Sequence, residues 1–417
     1  MSSLSNKVDV LVVGAGPTGL LTALDLARAG VEVEVIDQAW RSTTQSYACG
    51  IHPASLDLLE RFGVRSSALE AGLPVQTMAF FTGAERQAEV RFDRVNATSP
   101  HLLVLPQDRL EELLEEELRK KGVRVRWGHR LDDLKQDDIA VTASVEKLGL
   151  TSVGYPVARS EEMVESVKEV RARFVVGADG SASHVRHLLG IQTEHVGTGT
   201  AYDVFEFELL ASPGQEVRVA LGPDSADVFW PQPGHVARWS LELSGPEEHP
   251  DKQRQSFIIL NEDTDAAERR RLTERIQFRS PWFTAGIKEI EWTTVVGFDR
   301  MLARSFGSGR CWLAGDAGHQ TSPVGMQSMN VGLREAVDLA DRLRRILREG
   351  GSLESLAAYD SERLAEWRRL LGNDSFNAKT TASAWVKAHR RRLPPCLPGS
   401  GAELNALAAQ LGLEPVG

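Results

Sequence analysis

The stretch that most constrains this chain is VDVLVVGAGPTGLLTALDLARAGVEVEVID, Val8 to Asp37. Val8, Val10, Leu11, Val12 and Val13 form an apolar, β-branched run of the kind that fills a parallel strand covered on both faces. Gly14, Gly16 and Gly19 follow at once in GxGxxG spacing. Leu20, Leu21, Ala23, Leu24, Leu26 and Ala27 then recur with helical period until Gly30. Val31, Val33, Val35 and Ile36 make a second strand that ends at Asp37. Strand, glycines, helix, strand and acid arrive in the order of a dinucleotide-binding βαβ unit. Gly14 permits the tight turn, Gly16 lets a pyrophosphate approach the backbone, and Gly19 lets the helix pack close to the strand. The helix N-terminus supplies free N–H groups and a positive dipole end that favour phosphate. Asp37 can accept a ribose hydroxyl.

Composition narrows the partners. The formal net charge of −10 argues against a nucleic acid held through its phosphates. Cys49, Cys311 and Cys396 are far apart, and no CxxC or Cys/His cluster exists, so neither a disulfide framework nor a metal site is expected. No apolar run approaches the ~18 residues that span a membrane. MSSLSNK leads straight into the first strand, which leaves no room for a signal peptide. A cytoplasmic protein with no membrane span is the expectation.

After Asp37 a polar loop, Gln38 to Tyr47, carries Arg41, Ser42, Thr43 and Thr44, which either reach phosphate or ribose oxygens or face solvent. Ile51 to Phe62 reads as a helix, and Met78 to Phe92 as a hairpin turning at Gly83. Leu102 to Leu105 is a short strand, followed by the amphipathic helix that Gln107 and Asp108 open. Val123 to Trp127 is a further strand. Ile139–Glu146 and Met163–Arg171 read as two strands joined by a long tip, Lys147 to Glu162. Phe174 to Val176 is a buried strand. From Ile191 to about Val296 strand-like segments dominate: Ala201–Leu210, Val217–Leu221, Val228–Trp230 and Ala237–Leu243, then a helical piece, Ala266–Ile276. Trp230, Trp239, Trp282 and Trp292 lie here and either line an apolar pocket or fill a core. Cys311–Ala314 returns to a buried strand, a long helix starts near Asn330, and another spans Leu353 to Leu371. The tail from Asn373 holds a basic run, a proline bend and a final helix, Glu403 to Leu411.

Two further motifs follow buried strands: DGxxSxxR at Asp179, Gly180, Ser183 and Arg186, and GDx6P at Gly315, Asp316 and Pro323. With the first fingerprint, this set resembles the para-hydroxybenzoate hydroxylase class of single-component flavin monooxygenases, across roughly residues 8–72, 102–190 and 300–371. The resemblance implies an α/β fold. A Rossmann-like FAD-binding domain (1–73, 102–190 and 297–372) joins a mixed β-sheet substrate domain (74–101 and 191–296) and a helical tail (373–417). It implies that Asp316 holds the FAD ribityl chain and that Gln107 contacts the flavin chain. Asp179 and Gly180 approach the pyrophosphate side, and Gly325, Met326, Ser328, Met329 and Asn330 lie along the flavin pyrimidine edge. Gly14, Gly16, Pro17, Thr18, Gly19, Asp37, Gln38, Arg41, Gly315 and Pro323 complete the expected cofactor set.

The sequence departs from that pattern at Gln38, Tyr47, Ser328 and the Arg334-Glu335 pair. By the same resemblance, NADPH or NADH visits transiently to reduce FAD, and O₂ becomes a flavin C4a-hydroperoxide that hydroxylates an aromatic substrate. A phenolic or polycyclic natural product is implied, acted on by a monomer or homodimer. His319 is expected to be structural. No catalytic base is identified; His235 and Tyr202 are candidates. A non-oxygenating FAD oxidoreductase of reductase or cyclase type is the alternative, as is a flavin-dependent halogenase, although the WxWxIP signature is absent.

Overall fold

The computed structural model describes residues 4–41, 48–153, 159–197, 199–243, 262–372 and 375–416. Ser42, Thr43, Thr44 and Tyr47 lie outside the described residues. The helices are α1 (Pro17–Arg28), α2 (Pro53–Glu60), α3 (Arg65–Ala71), α4 (Gln107–Lys120), α5 (His184–Leu188), α6 (Glu262–Arg279), α7 (Gln327–Glu349), α8 (Glu354–Leu371), α9 (Ala384–His389) and α10 (Gly401–Gln410).

The apolar run Lys7–Val13 lies at the centre of an eight-stranded sheet. It pairs in parallel with Val33–Asp37 on one side and with Arg159–Gly177 on the other. Cys311–Leu313 continues the sheet in parallel from Val175 to Gly177. The β-branched side chains are buried where these strands pair in parallel, and α4 and α7 both pack against α1 alongside. Phe174–Val176 is therefore not a separate strand. It is the end of a 19-residue strand whose earlier part pairs antiparallel with Val141–Val153. The expected long tip at Lys147–Glu162 is corrected accordingly: pairing runs on to Val153 and Arg159, so the turn needs far fewer residues. Leu150, Met163, Val164 and Val167 are exposed there, so apolar residues do not mark one buried face of these arms.

The second sheet has seven strands in the order Ile287–Phe298, Thr200–Leu209, Val236–Leu243, Ala226–Pro231, Glu216–Leu221, Thr77–Thr82, Glu85–Arg91. The hairpin at Gly83 joins it through a parallel pairing of Thr77–Phe81 with Glu216–Ala220. One face, with Phe205, Phe207, Phe229 and Trp239, packs under α6 at Leu272 and Ile276. The other face, with Tyr202, Val204, Trp230 and Trp292, merges with the core of the first sheet. All four tryptophans of this region serve these two cores. The tail adds α9, α10 and a two-stranded pairing of Phe376–Ala378 with Leu413–Pro415. No helix among the described residues is long and apolar enough to cross a membrane.

Candidate functional site

The first wall is the turn after Lys7–Val13. Gly14 has φ +103°, and a Cβ there would stand 2.2 Å from the Ala178 carbonyl oxygen. A Cβ at Gly19 would stand 2.0 Å from the Gly14 carbonyl, so α1 starts as close to the strand as backbone permits. Gly16, by contrast, has no neighbour within 4 Å on its Cβ side, which leaves its backbone open to a ligand. Asp37 braces this loop: Oδ2 accepts the Ala15 N–H at 2.7 Å and Oδ1 the Ala39 N–H at 2.8 Å. Each oxygen keeps a further lone pair for a hydroxyl.

The second wall is the DGxxSxxR turn. Asp179 accepts from Ser183 Oγ at 2.5 Å, His184 N at 2.7 Å and Val185 N at 3.0 Å, so its carboxylate caps α5. Gly180 has φ +79° and open space on its Cβ side. Arg186 reaches across to donate to the Ala317 carbonyl at 2.6 Å and ties this motif to the next one.

The third wall is GDx6P. Gly315, at φ +67°, would place a Cβ 2.6 Å from Thr18 Oγ1, which sets this loop directly on the start of α1. Its N–H donates to Glu335 Oε2 at 2.8 Å. The same oxygen lies 2.9 Å from His319 Nε2, and Glu335 Oε1 accepts Trp367 Nε1–H at 2.7 Å. His319 stacks on Trp367 with ring centroids 3.7 Å apart. Burial pushes the Glu335 carboxyl up, and His319, Trp367 and Gly315 more than reverse it, leaving it below the usual value. His319 thus sits in a buried scaffold, as expected. Asp316 differs from every other acid here. Burial pushes its carboxyl up, and it has no hydrogen-bond partner among the described residues.

The three walls enclose two connected cavities. The larger, about 640 Å³, is lined by Gly14, Gly16, Asp37, Gln38, Arg41, Gln107, Asp179 and Gly180 among others. The smaller, about 200 Å³, is lined by Gly16, Pro17, Thr18, Gln107, Gly180, Asp316, Pro323, Met326, Ser328 and Met329. Gly16, Gln107, Ala178 and Gly180 belong to both, so the cavities form one groove. Trp230, Trp239, Trp282 and Trp292 line neither cavity.

Four expected residues stand behind the walls. Gly19 and Gly315 act through close packing. Gly325 is buried, with its carbonyl 2.9 Å from His52 Nε2. Asn330 spends its side chain on the His52 N–H and on the Gly50 and Met326 carbonyls. The long helix begins at Gln327, three residues before the expected Asn330, with Met326 in the left-handed region at φ 49° before it. The first turn of this helix therefore borders the smaller cavity through Ser328 and Met329 rather than through Asn330. Ser328 fits the close approach because its Oγ turns aside to accept the Thr321 N–H at 3.1 Å.

Sequence reasoning missed Ala48, Phe298, Gln320, Thr321 and Ser322, which also line the smaller cavity. No motif marked Phe298, but Gln320–Ser322 sit inside the GDx6P spacing and could have been inferred from it. Tyr202 Oη lies 3.1 Å from Ser322 Oγ, and burial raises the phenol well above its ordinary value. His235 is exposed and lines neither cavity.

Residues 7–374 match the family described as FAD binding domain. The chain is 31% identical to 6-methylpretetramide 4-monooxygenase of Streptomyces rimosus, over 93% of this chain and 64% of that protein. It is 26% identical to pentachlorophenol 4-monooxygenase of Sphingobium chlorophenolicum, over 87% of this chain and 63% of that one. The chain thus spans a little under two thirds of the length of these curated relatives. A crystal structure of aklavinone-11 hydroxylase in ternary complex with FAD and aklavinone superposes with TM-score 0.70 and 27% identity, covering 94% of this chain and 70% of that chain. With its three glycine-bearing walls around one groove, the chain belongs to the FAD binding domain family.

Proposed function

We propose that this chain binds FAD along the groove and uses it, with NADPH or NADH and O₂, to hydroxylate an aromatic substrate, phenolic or polycyclic. The observation that carries the reading is Asp316: a carboxylate with no hydrogen-bond partner among the described residues, facing a cavity continuous with an open glycine turn. That combination suits a ligand with a diphosphate at one end of a polyhydroxylated linker. Bound FAD supplies hydride acceptance from a nicotinamide and activation of oxygen.

The protein's part is binding and orientation. The Gly16 backbone and the start of α1 hold the pyrophosphate, with Gly180 opposite. Asp37 takes a ribose hydroxyl, and Gln38 and Arg41 flank the adenosine end. Asp316 accepts ribityl hydroxyls, with Gln107 across the groove. With FAD bound, the N-terminal turn of α7, which borders the smaller cavity, would supply the positive dipole end that stabilises negative charge on the flavin. Tyr202 and Ser322 exchange a hydroxyl hydrogen bond between the smaller cavity and an outer one of about 420 Å³ that shares Thr321 and Ser322. A phenol lodged in that outer cavity meets a donor–acceptor pair and lies beside the flavin end.

The division into 1–73, 102–190 and 297–372, against 74–101 and 191–296, with the tail 373–417, is supported by the separate memberships of the two sheets. A cytoplasmic location is supported by three buried free cysteines. A monomer or homodimer is the proposed state. The test is to purify the protein, record the flavin spectrum, and follow NADPH consumption with hydroxyanthraquinones under ¹⁸O₂. Substrate-stimulated consumption with label in the product is expected. A flavin-loaded protein that consumes NADPH without incorporating label would favour the non-oxygenating alternative, and a protein that cannot take up FAD would sink the proposal.

A further inference from the structure

The smaller cavity carries two thioether residues on its wall. Met326, at φ 49° just before α7, and Met329, in the first turn of that helix, both line it. They are 4% and 8% exposed, so both border the cavity while withheld from bulk water. A Cβ at Gly50 would stand 3.2 Å from Met326 Cγ and 3.2 Å from the Trp230 ring, so the Met326 side chain is backed closely from behind. Asn330 Nδ2 holds the Met326 carbonyl at 2.7 Å.

No other residue lining this cavity is a methionine, cysteine, tyrosine or tryptophan. The rest of the wall is glycine and alkyl groups, amides, hydroxyls, the Asp316 carboxyl and the unactivated ring of Phe298. A thioether is soft and polarisable and takes up an oxygen atom more readily than any of these.

We propose that the pair Met326 and Met329 is an oxidation site: when the groove holds FAD, a nicotinamide reductant and O₂ but no aromatic substrate, an oxygen atom passes to a thioether of this wall and leaves a methionine sulfoxide. The inference rests on the reading that FAD occupies the groove and activates O₂. The oxidant is a hydroperoxide formed at the flavin from O₂ and the two electrons of NADPH or NADH. Its O–O bond breaks as a sulfur lone pair forms the S–O bond. Sulfur is oxidised by two electrons, and the second oxygen takes up protons and leaves as water. The balance equals that of hydroxylation, with one oxygen atom to the acceptor and one to water. A sulfoxide is polar where the thioether was apolar. At Met326 it would press on the packing against Gly50 and Trp230, so oxidation is expected to weaken FAD binding and limit turnover without substrate.

Two other methionines are the controls. Met301 is 5% exposed and lines neither cavity, and Met163 is 46% exposed on the long antiparallel ribbon. Peroxide free in solution reaches sulfur by exposure, so it oxidises Met163 first and treats Met301 and Met326 alike. Oxygen delivered inside the cavity reverses that order.

The test incubates the FAD-loaded full chain with NADPH, catalase and ¹⁸O₂, without aromatic substrate, and maps its peptides by mass spectrometry. Labelled sulfoxide is expected at Met326, Met329 or both, at about tenfold the level at Met163 and Met301. Hydrogen peroxide added without NADPH is expected to oxidise Met163 first. Label at Met163 or Met301 equal to that of the pair, or an unlabelled pair after many turnovers of NADPH, would overturn the inference. A chain that takes up no FAD, or whose FAD is not reduced by NADPH, would instead overturn the reading beneath it, so the two failures are distinct.

Discussion

Asp316 and Gly14 show two ways a single residue can serve the same groove. Asp316 is a functional demand left open: a half-buried carboxyl on the groove wall, with no hydrogen-bond donor among the described residues, is ready to accept from a ligand. Replacing it with alanine removes charge-assisted hydrogen bonds to the ligand, so FAD affinity is expected to fall about ten- to hundredfold, with thermal stability of the apo-protein unchanged or slightly raised. Fluorescence titration and a melting curve measure the two separately. Gly14→Ala should do the reverse. Its Cβ would press on the Ala178 carbonyl at 2.2 Å in a left-handed turn, costing the fold about 2–4 kcal/mol before any ligand is considered. Equal effects of both changes on apo stability would contradict this division.

At the scale of elements, α7 is held in place by its own Glu335 as much as by its apolar face. That carboxylate accepts from a loop amide, a histidine ring and a tryptophan on α8, and so locks the turn that presents Asp316. Glu335→Gln keeps the volume but sets an amide donor against another donor, costing about 1–3 kcal/mol in unfolding free energy by denaturant titration. The locking also explains what could and could not be read from the sequence. The strand Lys7–Val13 and helices α1 and α4 were legible because local periodicity matches burial. The strand Ile287–Phe298 was not, because Lys288, Glu289 and Glu291 interrupt its apolar residues. The start of α7 was hidden by Met326, whose left-handed backbone no local propensity for methionine announces. Asn330 faces inward because of His52, 278 residues earlier, a pairing that only the folded chain creates. Asp316 and the glycine walls were legible because strand ends place them, whereas Phe298 reaches the groove from the other sheet.

At the scale of the whole molecule, the tail clamps the second sheet to the helices α2 and α7. Arg392 donates to the carbonyls of Gly222, Pro223 and Ser225, and Trp385 Nε1–H donates to Thr82 Oγ1 at 2.9 Å. Gln410 pairs with the backbone of Arg91 on the edge strand, accepting its N–H at 2.8 Å and donating to its carbonyl at 2.9 Å. That amide covers groups an edge strand otherwise leaves open. Glu403, about two helical turns away on the same helix, instead accepts the Ala54 N–H at the start of α2. One element thus carries two separable duties. Gln410→Ala is expected to lower unfolding free energy by about 1–2 kcal/mol and to leave FAD affinity unchanged at every pH. Glu403→Ala should weaken stability and FAD affinity together. If Gln410→Ala weakened FAD binding as much as Glu403→Ala does, the tail would act as one undivided buttress, and the separate duty assigned to Glu403 would lose its basis.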